Sequence, residues 1–169
     1  MKKQLLTLLI FSGLCGTIFG ITSAHAADVK VTWTEPGKYR DIYSGNQGKK
    51  RFRENTFKEI EKHLLKLAKA LPESQLLEIE VLDVDLAGDV HAGGMHNIRV
   101  IKEIYSPRIK FSYKLINADK AVIHSDNVNL KDMNFMMGNS SKYRNKSLGY
   151  EKELLDDWFE DTFESFIVK

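Results

Sequence analysis

The chain has 169 residues, 43% of them hydrophobic and 28% charged, with a formal net charge of +2 and a single cysteine. This balance excludes a strongly basic nucleic-acid binder, a disulfide scaffold and a disordered polyelectrolyte, and it suits one domain with an ordinary core. Lys2 and Lys3 account for the whole of the +2, so the chain after them is formally neutral and offers no global attraction to nucleic acid or to an anionic membrane.

Residues 1–26 read as a cleaved export signal. Lys2 and Lys3 form a basic start, Leu5 to Ile21 is apolar apart from small polar residues, and Ala24-His25-Ala26 has the small-x-small pattern cut by signal peptidase. A retained anchor needs about 18 or more strongly apolar residues, and Ser12, Gly13, Gly16, Thr17 and Gly20 interrupt this stretch. Leu14 before Cys15 is too large for a lipoprotein signal. The expectation is cleavage near Ala26-Ala27, a periplasmic or secreted protein with no membrane span after cleavage, and one globular domain over residues 27–169. The only cysteine leaves with the leader, so no disulfide is available to that domain.

Val29, Val31 and Trp33 alternate with polar residues and predict a first strand ended by Pro36-Gly37. A loop from Lys38 to Gly48 follows. Phe52, Phe57, Ile60, Leu64, Leu67, Ala68 and Leu71 then recur at helical spacing until Pro72. From Leu76 to Leu86 the period becomes two, with Leu77, Ile79 and Val81 on one face but Leu82, Val84 and Leu86 on the other, which predicts a bulge or a change of buried face. Ile98 to Ile104 and Ile109 to Ile116 are further alternating runs separated by a bend at Ser106-Pro107. Asn117 to Lys120 is a turn, and Ala121 to Leu130 is the last strand. The chain loosens from Asn134 to Gly149. Leu154, Leu155, Trp158, Phe159, Phe163, Phe166 and Ile167 then mark a C-terminal helix. The order strand, helix, strands, helix predicts an α+β domain: a mainly antiparallel sheet of four to five strands with both long helices on one face.

The two helices carry opposite charge. Residues 49–71 hold eight Lys/Arg and three Asp/Glu, and residues 150–167 hold one Lys and seven Asp/Glu. Side-by-side packing would let these charges pair, each exposed pair contributing about 0–1 kcal/mol. Lys49, Lys50, Arg51 and Arg53 nevertheless crowd the start of their helix, where the macrodipole repels cations. Lys38 and Arg40 precede them, and Lys142, Arg144 and Lys146 stand before the last helix. Free N–H groups and cations together suit an anionic envelope component such as lipid phosphate. Alanine at Lys49, Lys50 and Arg51 should weaken retention on anionic vesicles at low salt.

Asp83, Asp85, Asp89, His91 and His96 are the one cluster with the composition of a metal or hydrolytic site. Asp83-x-Asp85 with Gly88 echoes a calcium loop, but Ala87 and Gly94 occupy positions that require oxygen ligands. As transition-metal ligands the two histidines would have to meet across a Gly93-Gly94 turn. Asp83 and Asp85 should share the face of Leu77, Ile79 and Val81, with at least one of them partly buried on a hydrogen-bond partner. The competing reading is a strand end leading into a solvated glycine turn. No nucleophile elbow, phosphate-cradling loop or His-Glu-x-x-His occurs. His63 reads as a helix-flank residue, His124 belongs to no triad because its neighbours point to opposite faces, and Met133, Met136 and Met137 with Phe135 read by default as core filler, the alternative being an adaptable partner-binding surface. No cofactor is expected.

Several ordered segments resemble one family. Val31-Thr32-Trp33, the run Val81 to Gly88, Pro107-Arg108-Ile109-x-Phe111-x-Tyr113, Asn129 to Phe135, and Tyr150-Glu151-Lys152 leading to Asp157-Trp158-Phe159 are similar to the exported bacterial proteins of domain-of-unknown-function family 3016. The resemblance implies a Gram-negative periplasmic or envelope protein, and it carries over no activity and no catalytic residue. The functional expectation is a non-enzymatic binding or accessory protein that contacts an envelope protein or anionic lipid, with no role for nucleic acid and its oligomeric state open. The alternative is a metal-dependent or acid–base enzyme centred on Asp83, Asp85, Asp89 and His91.

Overall fold

Alternating apolar residues and one long amphipathic stripe generate the first unit. In the computed structural model, which describes residues 27–45, 48–93, 96–137, 142–143 and 145–167, strand β1 (Asp28–Trp33) is followed by helix α1 (Lys49–Ala68) and strand β2 (Leu76–Asp85). The expected leader, residues 1–26, lies outside the described residues. A helix between two strands carries the chain back to its starting end, so β1 and β2 pair in parallel, from Asp28 beside Leu76 to Trp33 beside Val81. The strand expected over Ile98 to Ile104 is instead the second arm of a separate hairpin. Strands β3 (Asp89–Gly93) and β4 (His96–Val100) pair only with each other, and the chain then turns through Lys102 to Tyr105 before Pro107.

Strands β5 (Arg108–Ile116) and β6 (Val122–Lys131) complete a four-stranded sheet of order β1-β2-β5-β6. The β2–β5 and β5–β6 pairings are antiparallel, so the sheet is mainly antiparallel with one parallel edge. The turn between β5 and β6 is held by Asn117, whose Oδ1 accepts from the Asp119 and Ala121 N–H groups. Helix α2 (Gly149–Phe163) closes the described chain.

The bulge in β2 falls at Leu82, where the register against β5 shifts between Val81 and Asp83. One extra residue changes the parity of the strand, so Val81 and Val84 both face the core and Leu82 lies outside it. The helices cover the face presented by Leu77, Ile79, Val81, Val84, Phe111 and Leu115. On α1, Phe57 stacks on Trp33 of β1 at 3.8 Å and 14°. On α2, Trp158 meets Phe111 at 4.8 Å and Tyr113 at 5.4 Å, both edge-on, and Phe163 meets Tyr113 at 5.5 Å. Edge-on aromatic pairs of this kind each add about 0.5–1.5 kcal/mol beyond area burial. His124 joins this cluster rather than a polar site, stacked on Tyr113 and accepting or donating at 2.8 Å through Nδ1.

The expected pairing of helix charges has the opposite polarity. Lys152, the single lysine of the acidic helix, reaches Glu59 of the basic helix at 2.8 Å. His63, expected on a flank, is 6% exposed and faces Asp156 of α2 at 2.7 Å. Contacts at a helix–helix seam are set by the few side chains that point inward, and net charge belongs to the outer faces.

Candidate ligand-binding site

Five segments converge at one end of the sheet: the first turns of α1, the chain just after β2, the end of β4, the stretch around Phe135 and the start of α2. They enclose a cavity of about 480 Å³, within the range used for small-ligand sites. Phe52, Leu86, Ile101, Phe135, Met136 and Tyr150 supply its apolar wall. Phe135 is buried and packs edge-on against Tyr150 at 4.8 Å. The methionines correct the reading as core filler: Met133 is 69% exposed, Met136 44% and Met137 75%. Of these Met136 lines the cavity, beside partly exposed Ile101. Unbranched, polarizable side chains left in solvent at a cavity mouth are suited to contact with an apolar partner.

Two charged groups absent from the sequence reading build the polar wall. Glu151, in the first turn of α2, is 3% exposed, and its Oε1 accepts from the Ala87 N–H at 2.7 Å. Burial pushes its carboxyl above the ordinary 4.5, against the lowering pull of that N–H, of its own backbone N–H and of Arg99. Arg99 of β4 donates from Nη1 to the carbonyls of Ala87 at 3.2 Å and Gly88 at 2.9 Å, and from Nη2 to Asp41 at 3.0 Å and to the Tyr43 carbonyl. Its Nε is buried with no hydrogen-bond partner among the described residues. Gly88 makes this approach feasible. At φ +81 it turns the chain, and a Cβ there would lie 2.6 Å from the Val100 carbonyl oxygen. Arg99 thus ties the β3–β4 hairpin to the end of β2 and to the loop after β1.

The acidic candidates do not gather around one point. The bulge puts Asp83 and Asp85 on the face opposite Leu77, Ile79 and Val81, opposite Lys110 and Arg108 in register, which corrects the expected face. Both have basic neighbours. Asp83 accepts from the Arg40 N–H at 2.9 Å, and Asp85 stands 3.7 Å from the Arg40 guanidinium. Burial raises the Asp85 carboxyl, partly offset by Arg40. Asp85 and Asp89 share a cleft with Asp41, but Arg40, Arg108 and Lys131 line it too. His91 lies 3.8 Å from Asp89, with its ring tilted against Tyr105. His96 pairs with Gly93 in the hairpin backbone, and its side chain is outside the described residues. Among the described residues no group of three or more His, Cys, Asp or Glu side chains could hold a metal ion.

The basic candidates at the start of α1 adjoin the cavity through Phe52, whereas Lys38 and Arg40 line other clefts. Helix α1 starts at Gly48 with no side-chain cap and no acid in its first turn, and Phe52 of that turn reaches the cavity wall. Lys49 lies 5.1 Å over the Tyr43 ring, Lys50 pairs loosely with Glu54 at 3.9 Å, and Arg51 is exposed. Arg53 donates to the Pro36 carbonyl at 3.5 Å, and Lys38 pairs with Glu35. Lys142 bonds Asp156 at 2.5 Å. Arg144 lies outside the described residues.

A family model described as "Protein of unknown function (DUF3016)" matches residues 27–161, a span that holds every residue lining the cavity. The chain belongs to the DUF3016 family. No curated protein and no solved structure matches it. Among the described residues of this DUF3016 protein no helix is long and apolar enough to cross a membrane. Arg99 and Glu151 were the site residues that the sequence left unmarked as such. Glu151 did stand inside Tyr150-Glu151-Lys152, one of the segments shared with the family, and Arg99 interrupts an otherwise apolar alternation from Ile98 to Ile101.

Proposed function

We propose that this DUF3016 protein is a non-enzymatic binding or accessory protein of the cell envelope, exported to the periplasm of a Gram-negative cell with removal of residues 1–26. Its cavity would be the place where it takes an envelope component. The observation that carries this reading is a half-apolar cavity of about 480 Å³ with exposed Met136 and Ile101 at its mouth. A concave wall of this size that sets apolar side chains beside a few polar groups is the usual form of a small-ligand site. The basic start of α1 adjoins it through Phe52 and would hold an anionic surface nearby.

The test is a photo-crosslinking amino acid placed at Met136 and, as a control, at exposed Val122 on β6, in the full chain produced with its leader. Adducts from the envelope fraction at position 136 and none at 122 support the reading. Equal labelling, or recovery of the protein from the cytosol with its leader intact, overturns it.

A further inference from the structure

A second pocket, of about 400 Å³, opens between α1 and the segment leading into α2, and it shares Tyr143, Lys146 and Ser147 with the first. The two are therefore neighbouring compartments with a common wall. Their charges differ. Among the described residues that line the second pocket, Lys62, Lys66, Lys146 and Lys152 face one carboxylate, Glu59. Lys152 already occupies Glu59 at 2.8 Å. A further acid bonded to residues of this wall, Asp156, is engaged by His63 at 2.7 Å, Tyr143 at 2.7 Å and Lys142 at 2.5 Å. Burial works against ionisation of Asp156, but these bonds outweigh it and hold the carboxyl below its ordinary value. Lys62 and Lys66 are exposed one turn apart on the same face of α1, and Lys146 lies 5.6 Å over the Tyr143 ring. The pocket is left with a cationic excess.

We propose that the two compartments form one site for a single-chain anionic amphiphile, with a phosphate or carboxylate head among Lys62, Lys66 and Lys146 and a hydrocarbon tail in the cavity beyond Ser147. This rests on the reading of the cavity as the binding site and adds the class of ligand and its direction. The direction follows from charge sorting. Glu151 and Glu153 stand on the cavity wall beside Arg99, so an anionic head would meet carboxyl groups there, whereas the lysines next door are in excess over acids. An apolar tail has the converse preference, for Phe52, Leu86 and Phe135.

The experiment is isothermal titration calorimetry on the full chain produced with its leader and recovered from the envelope fraction. The probes are dodecyl phosphate below its micellar concentration, dodecanoate, dodecanol and inorganic phosphate. One-to-one binding of the first two is expected, with dodecanol and inorganic phosphate each weaker by about tenfold or more. The double variant Lys62→Glu/Lys66→Glu should lose at least about tenfold for dodecyl phosphate and leave dodecanol unchanged. Ser147→Trp, at an exposed position on the shared wall, should weaken both. Lys62→Gln/Lys66→Gln should give a smaller loss in the same direction, which keeps the result readable if charge reversal disturbs folding. Preference for dodecyl phosphate over dodecanoate would point to a phospholipid-type head, and the reverse to a fatty acid; either supports the proposal. Equal affinity for dodecyl phosphate and dodecanol overturns the head assignment. Equal affinity for inorganic phosphate overturns the linked tail. Failure of all four overturns the ligand class while leaving the crosslinking result at Met136 to judge the function itself.

Discussion

Arg99 fastens the β3–β4 hairpin to a junction that the backbone already makes, where Asp41 of the loop after β1 bonds Val84 and Leu86 at the end of β2. Its guanidinium bonds Asp41 and the carbonyls of Tyr43, Ala87 and Gly88, with both charged side chains about four-fifths buried. Arg99→Ala should cost about 2 kcal/mol in urea denaturation, because the partners left behind lose charge-assisted bonds inside the fold. Arg99→Lys should recover little of it, since one ammonium cannot serve carbonyls and a carboxylate that lie along a planar fork. Adding Asp41→Ala to Arg99→Ala should cost almost nothing more, the signature of one shared interaction. Glu151 makes a prediction of opposite electrostatic sense. Its folded carboxyl is raised above the 4.5 of the unfolded chain, so the fold keeps a proton that the unfolded chain releases. Stability from this group is present below about pH 4.5 and is lost as pH rises through the folded value. Glu151→Gln keeps an acceptor for the Ala87 N–H and removes the titration. The variant should be more stable than the parent at pH 8 and should lack this component of the pH slope, as denaturation midpoints from pH 4 to 8 would show.

Helix α1 sacrifices its own start. Gly48 supplies no capping side chain and Lys49, Lys50 and Arg51 face the positive end of the dipole. Gly48 has φ −54 and ψ 126, a backbone any residue can adopt there, and a Cβ would meet nothing within 4 Å. Gly48→Asp should therefore raise stability by about 1 kcal/mol, through the cap and the dipole together. If the cationic start serves binding, the same change should weaken retention on anionic vesicles at low salt. Stability and retention moving in opposite directions is the expected outcome, and unchanged retention would leave α1 without that role. Strand β2 shows the converse economy, where a single extra residue at Leu82 sends Asp83 and Asp85 to the outer face and keeps Val84 in the core. The switch was legible in the alternation of Leu77 to Leu86. Its consequence for the two aspartates was not, because periodicity locates a change of face without saying which residue is the extra one.

Across the whole molecule, the seam between the helices depends on His63. Its Nε2 faces two groups that can only accept, Asp156 Oδ1 at 2.7 Å and the Lys152 carbonyl at 3.2 Å, so the neutral ring carries its proton there. Burial lowers the imidazole below its ordinary 6.5 in spite of Asp156. The fold thus resists a proton that the unfolded chain accepts, and stability is lost as pH falls through about 6.5 toward the folded value. His63→Gln, which keeps an N–H donor at a similar reach, should flatten the decline in urea midpoint between pH 7.5 and 5.5. This slope is opposite in sign to that of Glu151, and the two single variants separate them.

What the sequence by itself determined is everything carried by local periodicity and by composition. The strand at Val29 to Trp33, the α1 stripe ending before Pro72, the bulged strand, the Asn117 turn, the aromatic stripe of α2 and the family resemblance can each be read from neighbours a few residues apart. The parallel β1–β2 edge, the separate β3–β4 hairpin and the seam from His63 to Asp156 belong to the tertiary structure alone. So does the cavity, whose wall draws on Phe52, Arg99, Phe135 and Glu151 from four distant segments. The physical reason is that amphipathic periodicity reports which face of an element is buried but not against what. A buried carboxyl such as that of Glu151 looks like any surface acid until the fold brings the Ala87 N–H to it.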